Sequence, residues 1–299
     1  MAIVNSHIGL ALTHYCDLIE KYFKAPVLAY AGSIHPAFLR AYVSDIEEIV
    51  ERRDNMGLDD AHLENNHRLV IVISTPGGVV EAVEKMVEVT RAHFDEVFFA
   101  VPGSAMSAGT IFCMSGDKIY MDYTSSLGPI DPQLSFSPNE MVPALGYIDK
   151  VEEFIEKSRK GELTQAELIM LQRLDLAHLR RYEQARDLSV SLLREWLVKY
   201  KFKDWSVHRT TNPGSPVTTE QKQARAEQIA SDLSDNKLWH SHGRMIGLEK
   251  VQNMLKLQVE DYTKTELQFP LRAYGDLLSE FVMQQNLRFF THHAEKVLS

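Results

Sequence analysis

The sequence predicts an α/β fold with a mostly parallel sheet, and three observations carry that expectation. The run Leu69-Val70-Ile71-Val72-Ile73 is apolar and β-branched, as in a strand buried on both faces. It ends in Ser74-Thr75-Pro76-Gly77-Gly78 and gives way to helical spacing through Val83, Met86, Val87 and Thr90. The same order returns at once, with a strand over 96–101, a turn at 102–104, a small-residue helix over 105–115 and a strand over 118–121. Strand–turn–helix units repeated at this rhythm are βαβ units, whose sites gather at the C-terminal ends of the strands. Both glycine-bearing turns lie at such ends.

The flanking elements follow from periodicity. Ile8, Leu12, Tyr15, Leu18, Ile19 and Tyr22 mark an amphipathic helix over 6–24, Val27 to Ala31 reads as a strand, and a helix is expected over 37–53. The polar stretch 59–67 reads as a loop. From 147 to 202 the chain is long, charged and helical, with Leu168, Leu171, Leu174, Leu179, Leu188, Leu192, Leu193 and Leu197 on apolar faces. Asn212-Pro213-Gly214-Ser215-Pro216 is the clearest break, inside a surface loop over 206–218. A helix over 218–233 and helical sequence from 271 onward complete the chain. The expected organisation is one domain over 1–265, with 147–202 as a helical insertion, and a C-terminal helical extension over 266–299.

Composition excludes several classes. The chain has 299 residues, 44% apolar and 24% charged, and so is neither disordered nor membrane-embedded. A net charge of −9 is wrong for a phosphate-neutralising surface, and no nucleic-acid partner is expected. The N-terminus lacks the basic start and apolar run of a signal peptide, no stretch reads as a membrane span, and the isolated pair Cys16 and Cys113 says little about a disulfide framework and fits a reducing interior better. A cytoplasmic protein without cofactor is the expectation. No Walker-type loop is present, so any ATPase would be a separate partner.

A serine hydroxyl is a weak nucleophile, and acyl transfer through it needs a sharp presenting turn, a base, and N–H groups aimed at the oxyanion. In Gly103-Ser104-Ala105-Met106-Ser107-Ala108-Gly109-Thr110 small side chains flank Ser107 and leave it approachable. Gly77 and Gly78, on the preceding unit, can take the positive φ that turns N–H groups outward. Either motif alone is a tight turn or a closely packed helix; on consecutive units of one sheet they point to a serine nucleophile with an oxyanion hole.

These two motifs, followed by Leu127-Gly128-Pro129-Ile130-Asp131-Pro132-Gln133, resemble the serine dehydrogenase proteinase family of Clp-fold serine peptidases. Signal peptide peptidase A and the Clp protease subunit are more distant relatives. The resemblance is dense over 69–134, thinner to 200, and visible again over 238–260. It implies a Clp/crotonase-like spiral of βαβ units, peptidase activity on peptide or unfolded polypeptide, and assembly into homo-oligomers. It also implies Ser107 as nucleophile, with oxyanion donors from the Gly77–Gly78 region and the Ala108 N–H.

The base stays open. Clp protease subunits carry a His in the region that here reads Ile130-Asp131-Pro132-Gln133, which has none; signal peptide peptidases use a downstream Lys. Lys157 ranks first, then Lys150 and Lys160, on the condition that burial or cationic neighbours lower the lysine pKa from about 10.4. Basic neighbours of Lys157 favour that and Glu156 opposes it. His240 and His242 fall where Clp subunits place their third triad residue, and they lack a third ligand for a metal. His178 has no lysine neighbour of the kind some relatives carry, and His292-His293 reads as a solvated helix end or a contact surface. The alternatives to a peptidase are a crotonase-type acyl-coenzyme A hydratase or hydrolase and a catalytically inactive assembly module.

Overall fold

The computed structural model describes residues 2–55, 63–131, 133–137, 140–208 and 213–296, with the side chains of 2–6 and 133–147 left aside. The loop expected over 59–67 and the break at Asn212 therefore lie partly outside the described residues. In chain order the first elements are α1 (Ala2–Phe23), β1 (Val27–Gly32), α2 (Leu39–Asp54), β2 (Arg68–Ser74), α3 (Val80–His93) and β3 (Glu96–Ala100). β4 (Ser104–Ala105), α4 (Ala108–Met114), β5 (Lys118–Met121) and β6 (Ser126–Leu127) follow. A hairpin of β7 (Gln133–Ser137) and β8 (Glu140–Pro143) leads into α5 (Ala144–Arg159), α6 (Gln165–Gln172) and α7 (Leu176–Trp196). The chain ends through α8 (Thr219–Ser234), α9 (Asn236–Trp239), β9 (Ile246–Gly247), α10 (Leu248–Asn253), β10 (Glu260–Asp261), α11 (Gln268–Gln284) and β11 (Phe289–His292).

The main sheet has six strands in the order β10-β5-β3-β2-β1-β11, parallel throughout except for β11. Its period-two alternation divides each strand between two cores. Leu28, Tyr30, Leu69, Ile71, Ile73, Val97 and Phe99 enter one core with α2, α3, α4 and α8. Val27, Ala29, Val70, Val72, Phe98 and Ala100 enter the other, which α1 and α11 cover. Among the described residues no helix is long and apolar enough to cross a membrane.

Two expectations are corrected at the ends of elements. The helix expected from Ala105 starts at Ala108, because Ser104 and Ala105 pair with Ser126 and Leu127 in a second sheet, β4-β6-β9. The C-terminal region is not only helical. After α11 the chain returns as β11, antiparallel to β1, with His292 beside Ala29, so this segment closes the edge of the main sheet. His292 and His293 are accordingly buried rather than solvated on a helix end.

Candidate active site

The second sheet gathers the site. Thr75 forms a parallel bridge with Ala105, Thr75 N–H donating to Ser104 O at 2.8 Å and Met106 N–H to Thr75 O at 3.0 Å. Two residues further along each strand stand Gly77 and Ser107. A Cβ on Gly77 would lie 2.7 Å from Met106 O and 2.8 Å from Ser107 Cβ, so only glycine lets the turn approach this closely. Gly109, the second residue of α4, would likewise drive a Cβ to 2.3 Å from Thr75 Cγ2. Thr110 Oγ1 sits 2.7 Å from Ala105 O and accepts the Gly128 N–H at 2.9 Å, fixing α4 between β4 and the turn after β6.

Ser107 caps α4 with φ 51° and ψ −118°. Positive φ is costly for a residue with a side chain and persists only where the surrounding structure enforces it. Here the bridge on one side and α4 on the other enforce it. The side chain is half-buried, not sealed in the core, and its hydroxyl makes no hydrogen bond among the described residues.

The two glycines are not equivalent. Gly77 N–H donates to Thr75 Oγ1 at 3.0 Å and Gly77 O accepts from Ile34 N–H at 2.9 Å, so the Gly77 amide is fully used. Gly78 N–H and Ala108 N–H have no acceptor among the described residues; Ala108 is in the first turn of α4, where N–H groups lack intrahelical partners. Ala108 N lies 3.3 Å from the position a Gly77 Cβ would take, beside the glycine turn.

The candidate bases separate clearly. Lys157 is paired with Glu153 at 2.9 Å and Glu167 at 2.8 Å, and hydrogen bonds to these carboxylates raise its pKa. The expected lowering by basic neighbours is thus overturned, because the nearest charges across α5 and α6 are acidic. Lys150 is exposed and bonds Glu153 at 2.8 Å, and Lys160 is exposed. Among the described residues, burial pushes Lys201 down to about 8; it reaches Asp117 O in the turn leading into β5, the opposite end of the strands from Ser107. His178 is exposed beside Asp175. His240 is exposed in a left-handed conformation at the end of α9.

His242 differs from all of these. Its Nδ1 lies 2.8 Å from Asp131 Oδ1, with the imidazole 15% and the carboxylate 2% exposed. β6 runs parallel to β4 and β9 antiparallel to β6, with Leu127 opposite Ile246. The segment after β6, bearing Asp131, and the segment before β9, bearing His242, therefore share the end of this sheet from which Ser107 emerges. Asp131 Oδ2 has no hydrogen-bond partner among the described residues. Asp131 stands in the sequence within the motif Leu127 to Gln133 with no role assigned to it; the signal for one is an acid and a histidine in the two segments that flank paired strands.

An α/β sheet that brings a strained serine, two unengaged amide N–H groups and a His–Asp pair to one set of strand ends defines the class of Clp-like serine hydrolases. The ClpP-like SDH-type serine proteinase family matches residues 36–220, and the chain belongs to it. The chain is 44% identical over 68 residues to the uncharacterized protein MJ0137 of Methanocaldococcus jannaschii, covering 23% of this chain and 24% of that protein. It is 30% identical over 101 residues to the uncharacterized protein MJ1495 of the same organism, covering 34% and 31%. The matches thus span a quarter to a third of the length of these curated relatives. Among solved structures it is similar to a serine-to-alanine mutant of the 1510-N membrane-bound stomatin-specific protease, at TM-score 0.45 and 15% identity over 82% of each chain. It is also similar to a lysine-to-alanine mutant of that protease in complex with a substrate peptide, at TM-score 0.31 and 22% identity, over 42% of this chain and 55% of that one. The class rests on the family match.

Proposed function

We propose that this chain hydrolyses peptide bonds through a Ser107 acyl-enzyme, with His242 as general base, Asp131 as its orienting partner, and Gly78 N–H and Ala108 N–H as oxyanion donors. The observation that carries this reading is Ser107 at positive φ, packed against the Gly77–Gly78 turn. In the tautomer whose Nδ1–H donates to Asp131, His242 Nε2 carries the lone pair, and it takes the Ser107 proton as Oγ attacks the substrate carbonyl carbon. The negative charge that develops on the carbonyl oxygen meets the two amide donors. The imidazolium then returns the proton to the leaving amine, and water, deprotonated by the same imidazole, releases the acid product and Ser107.

A fluorophosphonate probe with a fluorogenic peptide library tests the reading. Wild type should label at Ser107, Ser107→Ala should not, and His242→Ala should slow labelling by about 10²–10⁴-fold. Lys157→Ala, which removes a lysine held by two carboxylates, should stay within about twofold, the scale of a surface change. An unlabelled wild type that binds coenzyme A tightly would mean crotonase-type chemistry. Normal labelling in His242→Ala with loss in Lys150→Ala or Lys160→Ala would move the base to a lysine.

Assembly and location belong to the same proposal. Leu168, Ile169 and Met170 on α6 and Leu176 at the start of α7 are exposed, which supports a homo-oligomeric contact. Cys16 and Cys113 are unpaired thiols buried in the cores, which supports a reducing, cytoplasmic setting.

A further inference from the structure

Away from Ser107, three ligand-type side chains converge where α2 meets the end of β11. Asp45 and Glu48 stand three residues apart on one face of α2, and His293 follows the last residue of β11. One donor atom from each lies within 4.8 Å of the other two. His293 Nε2 is 3.3 Å from Glu48 Oε2 and 3.7 Å from Asp45 Oδ1. Ligand atoms about 2.0 Å from a tetrahedral zinc ion are separated by about 3.3 Å, so these three need little movement to share one ion.

Burial and unmet bonding give the second, independent observation. Asp45 is 2% and His293 1% exposed. Asp45 Oδ2 and both His293 ring nitrogens have no hydrogen-bond partner among the described residues. Leaving such atoms unmet inside a protein is costly, and a cation would give Nε2 and the Asp45 carboxylate a shared partner. Lys296 Nζ holds Asp45 Oδ1 at 2.6 Å and Thr291 Oγ1 at 2.8 Å, which fixes one carboxylate oxygen and leaves Oδ2 buried without a partner.

We propose that Asp45, Glu48 and His293 form a binding site for a divalent first-row cation, zinc by its donor set, which staples the C-terminal strand to α2. His292 pairs with Ala29 near the N-terminal half of β1, so the site lies toward the end of the sheet opposite Ser107 and its role is structural. Three protein donors leave a fourth position to water.

The test uses the full chain without a histidine tag, with Co²⁺ as the visible probe and Zn²⁺ as competitor. Wild type should take up one Co²⁺ per chain with the visible absorption of a four- or five-coordinate ion, lose it to Zn²⁺, and melt at a higher temperature with Zn²⁺ present. Glu48→Gln, a change on an exposed side chain, should fold as wild type and weaken Co²⁺ binding by roughly tenfold or more; His293→Gln carries the same expectation as a second variant. Glu47→Gln, one residue away and exposed, should bind as wild type. No Co²⁺ band in the wild type under excess metal, or undiminished binding in Glu48→Gln and His293→Gln, overturns the proposal.

Discussion

Gly77 has φ 101°, and the space a Cβ would need is taken by Met106 O and the Ser107 side chain. Gly77→Ala therefore strains the turn and pushes on the nucleophile together. It should lower the melting temperature, in line with a cost of about 1–3 kcal/mol, and slow probe labelling at Ser107. Labelling and melting at wild-type levels would mean that the turn and the serine are mechanically independent. At this scale Ser107 was legible because small residues surround it in sequence, and they do so because the turn, α4 and β6 all press close. The His242–Asp131 contact was not legible, since 111 residues separate the partners and only strand pairing joins them. The charge around Lys157 was not legible for the same reason: Glu167, on a different helix, pairs with it.

Among the elements, β11 does the most that periodicity left unread. Four residues at a sheet edge give too short an alternation to stand out beside a long helical pattern. Its insertion buries His292, whose Nδ1 lies 2.8 Å from Tyr274 Oη. Burial, with smaller contributions from His293 and Lys296, pushes the His292 pKa down from 6.5 to about 3. The unfolded chain then binds this proton first, so stability is full above pH 6.5 and is lost as pH falls from there toward 3. His292→Gln, which keeps a polar partner for Tyr274 but does not titrate, should flatten the fall in melting temperature between pH 7 and 5. An unchanged slope would place the acid sensitivity in other groups. The shortened α4 teaches a related lesson: helix-forming residues from Ala105 onward yield to two residues of sheet pairing, and that displacement puts Ser107 at the helix entrance.

For the molecule as a whole, the exposed apolar residues of α6 and α7 bear on assembly. Sizing or mass photometry at micromolar concentration should find a species larger than the 34.1 kDa chain, and Ile169→Asp should shift it toward the monomer. A monomer in the wild type removes the oligomer from the functional reading. The sequence by itself determined the βαβ order, the two buried strands and the glycine and serine turns, because each depends on residues within one or two turns of one another. Only the tertiary structure decided which amide N–H groups stay unengaged, that His242 meets Asp131, and that β11 closes the sheet. Those outcomes depend on contacts between segments far apart along the chain, whose pairing no local pattern encodes.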